Sequence, residues 1–564
     1  MAYSRQRVRE VVRLGDSLFS KRYPMLTLWQ TCAENFNVMR ADFTRRRYPS
    51  EEFASYLMSG RPARCHRDLA GAFSTMLRRD QWFHAKTDSE IVNEDRDAKI
   101  WLDWASRTMK LAMYDKRAAF VRATSIADGD FCSFGNAVIT RDIVDYNHFL
   151  FRCWHLRDVA WEQSVTGQVN QVHFNWKPYA AQIIEKFGKS TTGTIDPKVI
   201  EMANKRDESS FSEINCRRML LPADQYDLPA KTQRGMPYVS VYVDIDNETI
   251  LEETPLRTWP CTIPRWAFGS SMFGDQYGYS PPVIYALPDS RMYQQMMLSM
   301  LTASEMATYP AMIAVGEAIN GAVNLYAAGI TQVDADYDER TGEVLRPLTT
   351  NFDGIKFGAE QMERLEAALD DSFYLNKLRF PEVTKEMTAY EASKLWDDFI
   401  RNTLPIFEPV EQEYNENLVD GTFEDMMTLG AFGSPQDMPQ KLRGRDISWQ
   451  FDTPISTVAK TALTGAFQSM LQTLTAAAQV KPDVVINVDM DTAVRDAIDG
   501  GGAAPTWLRP TEMVQKMQAE QAQKEAAQAA ANQVAHGADV ATRVGKAAQS
   551  AGDAAQSLQD AGVM

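Results

Sequence analysis

The chain has 564 residues, 45% of them apolar and 10% aromatic, which is more than one hydrophobic core commonly supports and implies several subdomains. Lys and Arg number 59 against 75 Asp and Glu, for a net charge of −16. That balance excludes a protein that grips nucleic acid over its whole surface, because phosphate contacts are dominated by Lys and Arg. The six cysteines, Cys32, Cys65, Cys132, Cys153, Cys216 and Cys261, lie far apart with no CxxC pair, and read as reduced thiols buried as small apolar residues. Behind Arg5, Arg7, Arg9 and Arg13 there is neither an apolar segment nor a small-residue cleavage site, so no secretory leader is expected. No apolar run reaches the ~18 to 20 residues of a membrane span. A soluble product of a cytoplasm, needing no cofactor, is the expectation.

Residues 1–50 carry ten Lys and Arg against four Asp and Glu, with Val8, Val11, Val12 and Phe19 near helical spacing. Such a basic helix serves either as a solvated face or as a surface for DNA or a partner. Helical periodicity continues to residue 127, through Leu69, Phe73, Met76 and Leu77, then Trp101, Leu102, Trp104, Met109 and Met113. Strand signals follow at 137–140 and 169–174, then a short helix at 178–187. Between 213 and 268 strands dominate, most clearly Tyr238 to Val243 with its β-branched and aromatic residues. From 281 to about 420 the chain is mainly helical, interrupted by a hairpin with strands near 330–333 and 343–348. Past Trp507 there is no Phe, Trp or Tyr, and Ala and Gln fill 520–534. That tail is either disordered in an isolated subunit or a helix stabilised by identical neighbours, with Gly500-Gly501-Gly502 as its hinge. The fold class expected is mixed α/β, predominantly helical.

Three patterns imitate chemical sites. Gly188-Lys189-Ser190-Thr191 ends like a phosphate-binding loop, but Ile183 stands where the first glycine belongs and a helix rather than a strand precedes it. Asp334, Asp336 and Asp338 open like a calcium loop, yet Glu339 and Leu345 occupy the glycine and bidentate-carboxylate positions. Cys153 and His155 share a strand face, but two ligands do not complete a zinc site. With no nucleophile elbow or kinase set either, a structural protein is expected rather than an enzyme.

Residues 274–306 carry the clearest pattern. Gly274 and Gly278 permit a tight turn, Ser280 can cap, and Pro281 and Pro282 suit a first helical turn. Past Pro288, Tyr293, Met296, Met297, Met300 and Leu301 follow helical spacing, so a helix is expected over about 288–308. Further on, Thr388 and Glu391 form a capping box ahead of Ala392, Leu395, Trp396 and Phe399, while the helix bearing Met362, Leu365, Leu369 and Phe373 must end before Pro381. A charged loop over 377–387, with Lys377, Arg379, Glu382, Lys385 and Glu386, is left between them.

The wording of both stretches resembles the portal, or head-to-tail connector, proteins of short-tailed bacteriophages. The matching residues are Tyr277, Gly278, Ser280 and Pro281, then Ala286-Leu287-Pro288-Asp289, and Lys385 to Glu391, which is similar to an E-R-[MV]-T-A-x-E pattern with Glu386 in place of the usual arginine. Thr262 to Trp266 and Trp507 to Glu512 are weaker echoes. The resemblance spans about residues 5–515. It implies a ring of about twelve chains around a DNA channel at one capsid vertex of the virion, assembled in a bacterial cytoplasm, through which the genome is packaged, retained and ejected. The regions it implies are a wing over 1–221, a β-rich clip over 222–280, a stem helix over 281–310, and a wing hairpin and helix over 311–376. A tunnel loop over 377–387 follows, then a kinked helix and crown over 388–510, and a tail over 511–564 that can form a helical barrel. The partners implied are a terminase motor, tail adaptor and nozzle proteins, the major capsid and scaffolding proteins, and double-stranded DNA passing without sequence-specific binding; no membrane is involved. An acidic channel wall would keep the duplex from sticking. Two rival readings stay open: a scaffolding or internal virion protein, or an enzyme using the Gly188 loop or the Cys153–His155 pair.

Overall fold

A computed structural model describes residues 2–48, 50–52, 54–78, 81–93, 95–144, 148–190, 192–205, 211–224, 226, 236–268, 276–310, 312–314, 345–347 and 353–379. In the C-terminal third it describes 394–395, 398–399, 401–402, 406–407, 410–434, 436–451, 467, 470–475, 488–500, 513–514, 516–521, 523–524, 526–528 and 542–550. Two compact units share the chain, Met1–Asp88 with Leu102–Ala459, and Ser89–Trp101 with Lys460–Met564. The described residues mix helix and sheet with helix predominating, as the periodicities require.

The first unit opens with α1, Ala2–Phe36, and α2, Arg61–Leu77. A strand β1, Phe83–Thr87, precedes the short α3, Glu90–Asn93, which belongs to the second unit, and α4, Arg96–Met113, whose residues lie partly in each unit. Then comes α5, Phe120–Phe134, buried along most of its length, as a helix apolar on several faces must be. Strands β2, Ile139–Val144, β3, His148–Cys153, β4, Val159–Gln163, and β5, Val169–Trp176, lead to α6, Ala180–Phe187, and α7, Pro197–Asn204. Strands β6, Cys216–Pro222, β7, Tyr238–Asp244, and β8, Thr249–Leu256, complete an antiparallel sheet of order β4-β5-β6-β7-β8. The boundary expected at 221/222 therefore falls inside β6, and the 222–280 region shares a sheet with the region before it.

Both faces of that sheet are covered, because alternate side chains of β6 and β7 are apolar on each side. On one face Val8, Val11 and Val12 of α1 pack against Met219, Leu221, Val239, Val241 and Val243. On the other, Ile183 and Phe187 of α6 and Val199 of α7 pack against Cys216, Tyr242 and Leu251. Burial of each such side chain contributes roughly 1.5–3 kcal/mol. Three of the six basic residues of α1 are held against the body. Arg9 makes a two-pronged pair with Glu248, Arg7 lies 4.0 Å over the Tyr226 ring, and buried Arg22 donates to the carbonyls of Leu156, Arg157 and Val159.

Strand β9, Cys261–Thr262, pairs with β2, giving a second sheet of order β3-β2-β9. Next comes α8, Pro281–Thr308, then β10, Met312–Ala314, and β11, Leu345–Pro347, which pair antiparallel. The expected strand near 343–348 is thus present, and the strand it pairs with is Met312–Ala314; the stretch 330–333 and the three aspartates at 334, 336 and 338 lie outside the described residues. Helix α9, Asp353–Ser372, and the single turn α10, Leu375–Leu378, follow. Later a wide π-helical turn, Glu411–Glu416, runs into α11, Asn417–Thr428, and β12, Ile447–Phe451, pairs with β1.

In the second unit the described elements include α12, Met490–Gly500, and helical residues within 513–528 and 542–550 whose side chains are almost all exposed. All six cysteines are free, five of them buried and Cys153 half-buried. No described helix is long and apolar enough to cross a membrane.

Candidate functional site: the root of the long helix

Helix α8 is one continuous 28-residue rod, about 42 Å long at 1.5 Å per residue, that begins at Pro281 rather than near 288 and keeps Pro288 inside it. Pro281 and Pro282 start it, since the missing N–H groups of a first turn have no partner anyway. Ser280 occupies the N-cap position but makes no capping bond; its Oγ donates to the Cys132 carbonyl at 2.6 Å instead. The hydroxyl thus fastens the helix to α5, a correction to its expected role.

The turn before it is held just as closely. Helix α5 ends at Gly135, whose φ of +71° suits glycine, and a Cβ there would lie 2.1 Å from the Tyr279 carbonyl carbon. Next to it, buried Asn136 uses its side-chain amide as a surrogate strand: Oδ1 accepts from the Gly278 N–H at 2.7 Å, and Nδ2 donates to the Gly278 carbonyl at 2.7 Å. Gly278 has no room for a side chain, because a Cβ would stand 2.8 Å from the Gly135 oxygen and 3.0 Å from the Trp266 nitrogen. The Trp266 N–H donates to Gly135, and the Tyr279 N–H donates to Ala267. Tyr277 packs edge-on to Trp29 at 5.7 Å and against Trp161 at 4.3 Å, and Trp161 Nε1 donates to the Gln276 carbonyl. Burial pushes the Tyr277 hydroxyl up to about 12, so it stays protonated.

Beyond this root, polar ties fix the first half of the rod. Ser290 Oγ donates to Asn35 Oδ1, and Gln294 accepts from the Met58 and Ser59 N–H groups while donating to the Ser59 carbonyl. The Tyr293 hydroxyl donates to Glu366 of α9 at 2.7 Å. With Met300 seated against Gly358, where a Cβ would come 2.3 Å from its sulfur, α8 and α9 run antiparallel. Arg61 grips both Asp370 oxygens at 2.5 and 2.6 Å, tying α9 to α2, and Leu365, Leu369 and Phe373 are buried as expected.

The distal half differs. From Leu298 nearly every position is exposed, Leu301 by 48%, Met306 by 55% and Tyr309 by 80%, whereas Met297 is half-buried. Asp289 lies on the proximal half, within the described helix. Of the expected channel loop, Lys377 sits inside α10 and not in a loop, and Arg379 is the residue that closes that turn. Glu382, Lys385, Glu386, Thr388 and Glu391 lie outside the described residues.

Of the three imitation sites, the aspartate loop lies outside the described residues, and neither of the other two is assembled among the described ones. Gly188 follows α6 as its C-terminal residue, with its N–H on the Ile184 carbonyl. Cys153 keeps company with Asp130 and Arg40, while His155 pairs with Asp42 at 2.8 Å. No group of three or more potential metal ligands occurs among the described residues. Asn136, Trp29 and Trp161 escaped the sequence reading, as did the Cys132 carbonyl's hold on Ser280. Only the Gly135-Asn136 pair after a helical stretch could have signalled a helix end, and nothing local links it to residue 278.

Comparison with known proteins finds relatives of this chain. The "Probable portal protein" of Bordetella phage BPP-1 is 24% identical over 486 residues, covering 82% of this chain and 81% of that one. The portal protein of Salmonella phage epsilon15 is 22% identical over 466 residues, covering 80% and 79%. Among solved structures, a chain from the neck of an empty gene transfer agent particle aligns over 73% of this chain and 86% of that one, at 9% identity and a TM-score of 0.32. The family of bacteriophage head to tail connecting proteins matches residues 9–508, and the chain belongs to that family.

Proposed function

We propose that the chain forms the channel at one vertex of a phage capsid, as a closed ring of about twelve copies, and serves as docking platform for a packaging motor and then for tail components. The family match over residues 9–508 supports the portal role in the phage head. The observation that carries the ring is the contrast along α8, closely held at Tyr277–Ser280 and exposed at most positions from Leu298 on, apart from Met300 against Gly358. An apolar rod exposed on several sides at once cannot be covered by one partner surface. Copies on both flanks can cover it, and a heterologous contact that closes makes a ring.

Within this reading 281–310 is the stem and 222–280 contains the clip. With Lys377 inside α10, the channel loop is the part of the 377–387 stretch that follows this turn, while double-stranded DNA passes without sequence-specific contact. Energy for packaging comes from a separate terminase motor, the chain itself being structural and not catalytic. Assembly takes place in the host cytoplasm, with capsid and scaffolding proteins around it and tail adaptor and nozzle proteins below. Deleting residues 380–386 tests the loop assignment: rings are expected to form normally by negative-stain microscopy while genome filling or retention changes. Rings that package, hold and eject DNA as before would refute the assignment.

A further inference from the structure

One row of residues runs straight across the five-stranded sheet on the face that carries α6. Phe174 of β5 stands opposite Arg218 of β6, Arg218 opposite Tyr242 of β7, and Tyr242 opposite Glu252 of β8. An arginine in the middle of such a face needs partners to be tolerated there. Arg218 is 4% exposed, and its Nη2 pairs with Asp142 of β2 at 2.7 Å while its Nε donates to Ser240 at 3.4 Å. Its Nη1 is buried and meets no partner among the described residues. A charged N–H left unmet costs more than a neutral one, so this nitrogen marks a place for an acceptor.

Further positive charge gathers round the same ring. The Arg218 guanidinium carbon lies 5.2 Å from the centre of the Tyr242 ring, and Lys186 Nζ lies 4.1 Å from it while donating to the Tyr242 hydroxyl at 3.0 Å. Lys186 is an exposed residue of α6, yet its ammonium also leans on Trp176 at 5.2 Å and Phe187 at 5.4 Å. Arg152 of β3, exposed as well, stands opposite Thr140 and therefore on the same face of its sheet as Asp142. Burial, together with Arg218 and Arg152, draws the Lys186 ammonium down to about 8 in spite of Asp142 and Glu252. Three cations thus face two carboxylates, and burial pushes one of these, Glu252, toward its neutral form. The cluster is short of a negative charge.

We propose that Arg218, Arg152 and Lys186 form a carboxylate-binding site where α6, the five-stranded sheet and the β2–β3 pair meet, with Tyr242 and Trp176 as its wall. A carboxylate brings the single charge the cluster lacks, and its two oxygens suit a guanidinium N–H on one side and an ammonium on the other. A phosphate dianion would overshoot, because Asp142 and Glu252 already stand beside the site. The carboxylate can arrive as a small acid from solution or as an Asp or Glu side chain of another chain. Nothing in the site requires the ring.

Acylation of lysines by a limiting amount of an N-hydroxysuccinimide ester, read peptide by peptide by mass spectrometry, tests the site, because a bound carboxylate covers the Lys186 amine and keeps it protonated. On the full chain at nanomolar concentration, sodium acetate replacing sodium chloride at constant ionic strength is expected to slow labelling of Lys186 about tenfold and saturably, with exposed Lys177 and Lys189 unchanged. Sodium phosphate is expected to protect less. Arg152→Gln, at an exposed position, is expected to raise the acetate concentration for half-protection about tenfold. Arg218→Lys, which keeps the charge beside Asp142 but not the second nitrogen, is expected to do the same; should it not fold, Arg152→Gln decides alone. At micromolar concentration without added carboxylate, labelling that is slow in the natural chain and fast in Arg152→Gln assigns the acid to another chain, and fast labelling in both assigns it to solution. Labelling of Lys186 that ignores acetate in the dilute chain would overturn the proposal. So would equal slowing at Lys177 and Lys189, stronger protection by phosphate, or half-protection unmoved in Arg152→Gln.

Discussion

Asn136 is the residue on which the root of α8 most depends, because its side chain supplies both hydrogen bonds that Gly278 would otherwise find in a strand. Replacing it by Ala leaves a buried N–H and a buried carbonyl unmet, so Asn136→Ala is expected to cost about 3 kcal/mol in denaturant unfolding. Gly135→Ala, forced into a positive φ and into the Tyr279 backbone, is expected to cost at least as much. Costs under ~1 kcal/mol for both would show that the turn is not held as described. Buried histidines make a second expectation. His173 is held far below its ordinary value of 6.5, to about 3, by burial and by Arg217, and burial lowers His66 too. A depressed native value means that the unfolded chain binds the proton first. Their contribution is therefore complete above about pH 6.5 and is lost as pH falls, for His173 by about 1.4 kcal/mol per unit between that point and its native value of about 3. His173→Gln should flatten the loss of stability between pH 6 and 4; an unchanged slope would contradict the assignment.

At the scale of elements, α8 separates folding from assembly. Leu301 is exposed, so Leu301→Asp is expected to change subunit stability by less than about 0.5 kcal/mol yet to prevent rings, which sedimentation and unfolding curves can distinguish. Met297 is half-buried, and Met297→Asp is expected to weaken both. If Leu301→Asp assembles normally, the distal face is not a subunit contact. These elements also show what could be read from the chain. Strands such as Tyr238–Asp244 and helices such as α9 announce themselves because apolar periodicity is local. Ser280 misled, since a serine before Pro-Pro reads as a cap while the Cys132 carbonyl, 148 residues away, claims its hydroxyl. Proline at 288 suggested a helix start, but it lies eight residues into a rod whose root is fixed from outside. The arginines of α1 looked available for a partner until Glu248, Tyr226 and the 156–159 carbonyls, all distant in sequence, accounted for Arg7, Arg9 and Arg22. Polar pairs of this kind leave no periodic trace, which is why the root and these pairings appeared only with the fold.

For the whole molecule, an acidic chain of 63.6 kDa with a largely exposed distal half of α8 is expected to exist as a closed assembly, and under the proposed channel role the acidity would suit a wall past which DNA slides. Channel lining by Lys and Arg would hold the duplex through counterion release, so a mostly negative wall and weak, salt-insensitive DNA affinity go together. Native mass spectrometry of the purified chain at micromolar concentration tests the ring most directly. Twelve copies of 63.6 kDa give about 763 kDa, and a dominant species at or within one subunit of that mass is the expected result. A chain that remains at 63.6 kDa under those conditions would contradict the ring and, with it, the channel.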